Sequence, residues 1–347
     1  MTRRVLGWIR VCILLCLTVA AASPAQSEPA ETPFASISKN ATSCFTGPWS
    51  SVESYVEHSL KRKPSLPQDE AAVAEGTEYY TDLMNYECKW FDYEVDGFIV
   101  RGFYAKPRRI AADKLPVIIF NRGGNADSGA IPPPYIFGKL FPVVKKGFVV
   151  VGSMYRGARL GSEPHPDRLA DEFGGKDVND ILALLPIIET MPFADAEKIG
   201  MWGVSRGGIM TYLAVARSDR FRALVAEATP TDLKLEIEFR PEMEGVLSEW
   251  IPGYPQNREE ALRERSVLAW AERLPETTAI LILHGTADER VRANSALEMA
   301  LKLQELGRPY RLVMFENGGH GLHRTHQDAV TLEVAGWFKS KLSDGAE

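Results

Sequence analysis

A G-x-S-x-G pattern, formed by Gly203, Ser205 and Gly207, constrains the possible folds of this chain more than any other feature. A short apolar run over residues 199–202 precedes it, and residues 209–216 follow with the composition of a buried helix. Between a strand and a helix, this pattern is typical of a sharp, strained turn that exposes a serine hydroxyl and requires small neighbours on both sides. Because the pattern also occurs by chance in glycine-bearing loops, its meaning depends on the partners that the rest of the chain supplies.

Apolar runs with strand character alternate with helical stretches along the rest of the chain. Asp96 and Gly97 join two β-rich runs, residues 90–95 and 98–104, and so predict a hairpin. The later runs are largely apolar, which is typical of a sheet covered on both faces. The alternation predicts an α/β protein with a mainly parallel, doubly wound sheet and the hairpin at one edge. The expected later strands are residues 115–120, 148–153, 199–202, 223–226, 280–284 and 310–315, and the expected helices are residues 135–146, 177–188, 209–217, 293–306 and 328–342.

The first 25 residues predict a cleaved signal peptide. Three arginines accompany an apolar run over residues 11–22, and small residues follow at the two positions that a signal peptidase reads. An uncleaved membrane anchor is the alternative, but the run has about 12 residues and a bilayer span needs roughly 20. We therefore expect a secreted or periplasmic protein with no membrane segment after cleavage.

The sequence predicts a leader and a small helical addition over residues 26–89, and the main α/β domain over residues 90–347. Within the addition, residues 51–62 and 68–86 have helical patterns separated by prolines. A packing role is the simpler interpretation of these helices, and a roof over the active site is the alternative.

Cys44 and Cys88 are the cysteines that remain after the signal peptide leaves, because Cys12 and Cys16 lie within it. An even pair in a chain sent to an oxidising compartment predicts a disulfide between them. Two unpaired buried thiols are the alternative. The bond would tie the N-terminal segment to the start of the catalytic domain.

Composition and missing motifs exclude several classes of function. The 347 residues are 45% hydrophobic and 25% charged, with a formal net charge of −6, which suits one large domain with a full core. No basic block indicates a nucleic-acid partner. Neither a dinucleotide fingerprint nor a phosphate-binding loop occurs, so we expect no cofactor.

A nucleophilic serine needs a general base, and the base needs an acid that orients it. Asp288 follows the predicted strand 280–284, and His320 follows the predicted strand 310–315 in a glycine-rich turn. Serine, acid and histidine in this order, each after a strand, are typical of the α/β-hydrolase fold. The sequence therefore predicts Ser205 as nucleophile, His320 as base and Asp288 as orienting acid.

Each of these assignments has a rival in the sequence. Glu289 adjoins Asp288 and could replace it, and His323 could replace His320 as the base. His320, His323 and His326 could also be interpreted as a metal cluster. Their spacing of three differs from the i, i+4 pair of a helical zinc site, and no Cys or Glu accompanies them, so we expect no metal.

The oxyanion formed during acyl transfer needs two hydrogen-bond donors. The amide of Arg206, the residue after the nucleophile, is the expected first donor. The second is expected from the glycine-containing loop over residues 121–125, with Gly124 favoured and Gly123 next. The alternative is that both glycines serve only the turn.

Taken together, these residues resemble the catalytic domain of the prolyl oligopeptidase family of serine peptidases, within the α/β-hydrolase superfamily. The resemblance covers roughly residues 90–342 and implies the same triad and the same oxyanion donors. It also implies a structural role for Asp177 and Asp180. The segments that carry it are residues 121–124, 154–157, 174–180, the turn at Ser205, 284–291 and 318–321.

The resemblance implies a serine hydrolase that cleaves peptide or amide bonds through an acyl-enzyme. A carboxylesterase acting on small or sugar esters is the alternative, because one scaffold serves both chemistries. About 65 residues separate the signal from the hairpin, too few for the β-propeller that many family members carry, so we do not expect its gating of peptides. A catalytically inactive binding protein is a third possibility, and the complete triad argues against it.

One further segment follows the strand after the serine turn. Residues 236–255 are expected to line the acyl pocket, with Phe239, Trp250 and Tyr254 as candidates for its wall. Aromatic packing in the core is the alternative for these three side chains.

Overall fold

Nine strands form one mixed sheet in the computed structural model, which describes residues 31–62, 70–158 and 170–343. Their order across the sheet is β1-β2-β3-β5-β4-β6-β7-β8-β9. The pairs β1/β2, β2/β3 and β3/β5 are antiparallel, and the five remaining pairs are parallel. The strands are β1 (Thr42–Ser43), β2 (Tyr86–Val95), β3 (Phe98–Pro107), β4 (Leu115–Asn121), β5 (Val149–Ser153), β6 (Ala194–Val204), β7 (Phe221–Glu227), β8 (Ala279–Gly285) and β9 (Tyr310–Phe315).

Helices cover both faces of this sheet, as two separate sets of buried side chains show. On β4, Val117 and Ile119 belong to one buried cluster and Ile118 and Phe120 to the other, as the alternation of side chains along a strand requires. The predicted α/β-hydrolase fold, with a mainly parallel sheet and an N-terminal hairpin, is therefore confirmed. The α-helices are α1 (Pro33–Ser38), α2 (Val52–Arg62), α3 (Glu70–Leu83), α4 (Pro133–Tyr135), α5 (Phe141–Val144), α6 (Val178–Leu182), α7 (Leu184–Thr190), α8 (Arg206–Val215), α9 (Leu233–Phe239), α10 (Met243–Trp250), α11 (Tyr254–Arg265), α12 (Asn294–Glu305), α13 (Leu322–Thr325) and α14 (Gln327–Leu342).

The helix expected over residues 135–146 is interrupted in the structure. Between α4 and α5, the segment Ile136–Leu140 forms a π-helix. Pro142 has no amide proton, so it cannot donate to the carbonyl of Gly138 four residues earlier. The side-chain amide of Gln327 donates to that carbonyl instead. A contact 189 residues away therefore satisfies a backbone acceptor that the local sequence leaves open.

The expected helix over residues 177–188 is likewise divided, into α6 and α7, with Ala183 between them. Pro186 lacks the amide that would donate to Leu182, and this removes one hydrogen bond of a continuous helix. The predicted helices of the N-terminal addition correspond to α2 and α3.

The N-terminal addition contributes to the sheet as well as to the helices. β1 pairs with β2 through Thr42 and Ser43, and β2 itself begins at Tyr86, four residues before the expected start of the hairpin. The boundary between the N-terminal addition and the catalytic domain, placed between residues 89 and 90, remains a prediction, and β2 crosses it. The predicted signal peptide, residues 1–25, lies outside the described residues. None of the helices in the described ranges combines the length and apolarity needed to cross a bilayer.

A disulfide joins Cys44 and Cys88, whose side chains are fully buried. The amide of Cys44 also donates to the carbonyl of Cys88 over 3.1 Å. The covalent bond and the β1/β2 pairing therefore fix the same point of the N-terminal segment against β2.

Removing this disulfide should lower the stability of the fold. The bond closes a loop with a sequence separation of 44 residues, and loops of this size correspond to a loss of about 2–4 kcal/mol in the free energy of unfolding. Urea unfolding of the oxidised protein and of the Cys44→Ala/Cys88→Ala variant measures the difference. A reductant should destabilise the parent and leave the variant unchanged. Equal free energies of unfolding for parent and variant would contradict the prediction.

Candidate active site

Ser205 lies between β6 and α8 in a strained backbone conformation, with φ 58° and ψ −128°. Two close approaches make this turn possible. A methyl group on Gly203 would lie 2.1 Å from the carbonyl oxygen of Gly207, and one on Gly207 would lie 2.0 Å from the carbonyl oxygen of Asn121. Only glycine fits at either position, which is the steric reason for the G-x-S-x-G pattern. The helix begins at Arg206, three residues earlier than the sequence indicates.

The turn lies where the strand order of the sheet reverses. The chain passes from β4 to β5 on one side and then returns to β6 on the other side of β4. Such switch points create a crevice at the carboxyl ends of parallel strands, where ligands bind in α/β proteins. The loop after β4 reaches Ser205 here, because a methyl group on Gly123 would lie 3.1 Å from Ser205 Cβ.

Asp288 and His320 extend from the loops that follow β8 and β9, and the structure joins them directly. His320 Nδ1 lies 2.9 Å from Asp288 Oδ2. Because the carboxylate can only accept, the imidazole carries its proton on Nδ1 and presents a lone pair on Nε2. This is the tautomer that a general base facing a serine hydroxyl requires.

The Asp288 carboxylate is held by several donors. Its Oδ1 accepts hydrogen bonds from the amides of Arg290 and Val291, at 2.8 and 3.0 Å. His284 Nε2 lies 3.4 Å from Oδ2, on the same oxygen that faces His320. Burial alone would raise the pKa of Asp288, but the contacts with His284 and His320 and the backbone donors outweigh it and hold the pKa below its ordinary value. The group is therefore a fixed negative charge at neutral pH.

Ser205 and His320 are both partly exposed, and no hydrogen bond joins them in the described part of the chain. Hydrogen bonds between nucleophile and base are often long or poorly aligned without substrate and tighten when it binds. The structure thus joins His320 to Asp288 by a hydrogen bond, and it places Ser205 at the same edge of the sheet.

The rival residues occupy other positions. Glu289 is exposed, and its carboxylate accepts no hydrogen bond from another described residue. The His323 ring packs edge-on against Tyr135, with ring centroids 5.7 Å apart, and His326 packs against Phe315. Across the described ranges, no group of three or more His, Cys, Asp or Glu side chains is arranged to hold a metal ion.

His323 should make the stability of the protein depend on pH. Burial first, then the positive charge of Lys139, lowers its pKa from 6.5 to about 4, with Arg324 and His320 adding to the effect and Glu227 opposing it. Between these values the unfolded chain binds a proton that the native protein does not, so the free energy of unfolding falls as the pH drops through this window.

The His323→Gln variant should lose that part of the pH dependence. The free energy of unfolding of both proteins, measured by chemical denaturation between about pH 4 and 7.5, tests this prediction. The difference between the two proteins at the upper end of this range is the reference, because His323 is neutral there in the folded and the unfolded state. Parallel curves for the two proteins would contradict the assignment.

Three backbone amides near Ser205 are available to a ligand. The amides of Arg206, Gly123 and Gly124 donate no hydrogen bond to any other described residue. Arg206 is the first residue of α8, where amides have no acceptor within the helix. Gly124 has a φ of +67°, and Gly123 is the glycine that lies against Ser205. The choice between the two glycines as second oxyanion donor remains a prediction.

Two buried charge clusters near the turn were not found from the sequence. In one, Arg206 binds Asp171 and Asp177, and in the other, Lys139 Nζ lies 2.7 Å from Glu227 Oε1. Trp202 Nε1 also donates to Glu227 over 3.0 Å. Two features of the sequence could have indicated the second cluster. Lys139 lies inside the apolar run 136–141, and Glu227 ends an apolar strand.

The segment 236–255 forms parts of α9, α10 and α11. Trp250 and Tyr254 are buried in the core cluster on one face of the sheet, whereas Phe239 is 46% exposed. Core packing, the alternative interpretation, therefore describes the first two aromatic residues.

The fold and the Ser205 turn together define this chain as an α/β-hydrolase. The sequence profile of the prolyl oligopeptidase family matches residues 135–345, more than half of the 347 residues. The chain belongs to this family, as the motifs indicate.

Individual relatives are distant. Uncharacterized peptidase YuxL of Bacillus subtilis (strain 168) is 26% identical over 258 residues, which cover 71% of this chain and 38% of YuxL. Uncharacterized peptidase YtmA of the same organism is 24% identical over 250 residues, covering 72% of this chain and 92% of YtmA. The acylaminoacyl peptidase of Pyrococcus horikoshii superposes with a TM-score of 0.65 at 24% identity, covering 77% of this chain and 44% of that structure. The chain thus spans less than half the length of YuxL and of the acylaminoacyl peptidase.

Proposed function

We propose that this protein is a serine hydrolase that cleaves peptide or amide bonds of small substrates. The hydrogen bond between His320 Nδ1 and Asp288 Oδ2 carries the proposal, because it sets the imidazole in the tautomer of a general base. The strained turn at Ser205 supports the same conclusion, and so do the amides beside it that donate to no other described residue. Membership of the prolyl oligopeptidase family favours peptides among the possible acyl substrates.

The reaction follows from these positions. His320 Nε2 accepts the proton of Ser205 Oγ as the oxygen attacks the acyl carbonyl, and Asp288 stabilises the resulting imidazolium. The amide of Arg206 and one amide of the Gly123–Gly124 pair donate to the oxyanion. His320 then returns the proton to the leaving amine, and a water molecule, activated by the same imidazole, hydrolyses the acyl-enzyme.

A matched pair of substrates tests this function. One acyl group is presented once as a peptide p-nitroanilide and once as a p-nitrophenyl ester, and kcat/KM is measured for both. Cleavage of the anilide that disappears in Ser205→Ala is the expected result. Cleavage of the ester alone would assign the protein to the carboxylesterases and contradict the peptidase function.

We propose in addition that the protein is exported, to the periplasm or the medium. The composition of residues 1–25 supports this, and so does the Cys44–Cys88 disulfide, because such bonds persist in oxidising compartments. N-terminal sequencing of the protein from fractionated cells tests it. A mature N-terminus near Gln26 in the exported fraction is expected, and an intact chain in the cytoplasm would contradict the proposal.

A further inference from the structure

The side chain of Arg206 reaches the loop that faces Ser205. Its Nη1 donates to the carbonyl oxygen of Gly124 over 2.9 Å. Arg206 is thus both the residue whose amide is the expected first oxyanion donor and a side chain bound to the loop expected to supply the second. One residue connects the two halves of the proposed oxyanion hole.

Two carboxylates hold the Arg206 guanidinium in place. Asp171 binds it through both oxygens, at 2.8 and 2.6 Å, and Asp177 binds Nη2 at 2.5 Å. All three side chains are almost completely buried. Burial alone would lower the pKa of Arg206, but Asp171 and Asp177 more than offset it and hold the pKa above its ordinary range. The guanidinium therefore stays charged and has one orientation.

A second arginine, Arg122, lies within this loop and binds its backbone. Arg122 Nη1 donates to the carbonyl oxygen of Gly123 over 3.1 Å, and its guanidinium stacks on the ring of Tyr155 at 4.6 Å. In a trans peptide the carbonyl and the following amide point in opposite directions, so a bond to Gly123 O also fixes the amide of Gly124. Arg206 stacks on the same tyrosine at 5.5 Å, so the two arginines and the loop form one packed unit.

We infer that the Arg206 side chain is a positioning residue, which holds the Gly123–Gly124 loop in register with the Ser205 turn. This inference rests on the proposed serine hydrolase function. It adds a role for the side chain of Arg206, a residue that otherwise enters the reaction only through its backbone amide. Oxyanion donors act only when they are already aimed at the position of the developing charge. Loosening the guanidinium should therefore weaken stabilisation of the transition state more than binding of the substrate.

The Arg206→Lys variant tests this role, because it keeps the charge and the backbone amide but removes the planar fork that spans three partners. With the p-nitrophenyl ester as substrate, kcat should fall about 10- to 100-fold with little change in KM, less than the roughly 100- to 1,000-fold that losing a donor outright costs. Binding of a trifluoromethyl ketone, whose adduct with Ser205 places an oxyanion in the same hole, should weaken by a similar factor.

Arg156→Lys is the matched control. Arg156 is equally buried and binds Asp180 at 2.7 Å and Asp96 at 2.8 Å. It donates no hydrogen bond to residues 121–125 in the described part of the chain. This variant should lose thermal stability and keep its kcat.

The outcomes separate the inference from the proposed function. Turnover that survives Ser205→Ala refutes both. Serine-dependent turnover with unchanged kcat in Arg206→Lys overturns the positioning role alone, and so does an equal loss of kcat in Arg156→Lys. If Arg206→Lys does not fold, Asp171→Asn carries the test, because it keeps the shape of the partner and removes its charge. The same selective loss of kcat is then expected, and an unchanged kcat overturns the inference.

Discussion

Ser205→Ala should lower kcat by roughly a million-fold, the size of effect seen when the nucleophile of a serine hydrolase is removed. The strained turn at Ser205 presents the hydroxyl at the crevice between β4 and β6, so no other side chain substitutes for it. Alanine fits the same backbone, and the melting temperature should change little. Burst and steady-state kinetics on the p-nitrophenyl ester, with the melting temperature of each protein, provide the measurement.

Ser218→Ala serves as the control, because Ser218 lies beyond the C-terminal end of α8 and its hydroxyl accepts a local hydrogen bond from the amide of Arg220. It should keep full activity. Residual turnover within a hundred-fold of the parent in Ser205→Ala would exclude this serine as the nucleophile.

Asp288→Asn should lower kcat by about ten-thousand-fold, because it reverses the tautomer of the catalytic imidazole. The amides of Arg290 and Val291 donate to Oδ1 and so select the oxygen of the new asparagine. Its NH2 group then takes the position of Oδ2 and faces Nδ1 of His320. Nδ1 of the imidazole must then accept a hydrogen bond from this NH2 group, and the ring proton moves to Nε2. The imidazole can therefore no longer take a proton from Ser205.

Glu289→Gln is the matched control for this prediction. Glu289 is the exposed neighbour that could have replaced Asp288 as the acid. Its substitution should change kcat by less than about three-fold, as removing an unpaired surface charge has small effects. A larger loss in Glu289→Gln than in Asp288→Asn would reverse the assignment of the acid.

The turn at Ser205 could be predicted from the sequence because its determinants are local. Gly203 and Gly207 are required by contacts within the turn and with the adjacent β4, and the apolar runs on either side specify a strand and a helix. The strands of the sheet were predicted for a related reason. The later strands are largely apolar at their centres, which is typical of a sheet covered on both faces.

The charge clusters could not be predicted because their partners are remote in sequence. Arg206 lies 35 residues from Asp171, and Lys139 lies 88 residues from Glu227. Nothing in the local pattern states that these groups meet, since a charged residue near an apolar run is normally at the surface. The break in the helix before α5 has a local cause in Pro142, but the contact that satisfies the Gly138 carbonyl comes from Gln327, 189 residues away, and could not be predicted.

The position of His320 illustrates both cases. Its place after the last strand follows from the order of serine, acid and histidine, and its spacing from that strand favours it over His323. Three-dimensional contacts separate the two residues, because His320 binds Asp288 whereas His323 packs against Tyr135 beside the buried Lys139.

The most direct test of the central claim is to react the purified protein with a fluorophosphonate and to map the adduct by peptide mass spectrometry. The geometry predicts one phosphonyl group per chain, attached to Ser205, and a strongly reduced labelling rate in His320→Gln. No adduct, an adduct on another residue, or an unchanged rate in His320→Gln would contradict a hydrolase built on Ser205, Asp288 and His320.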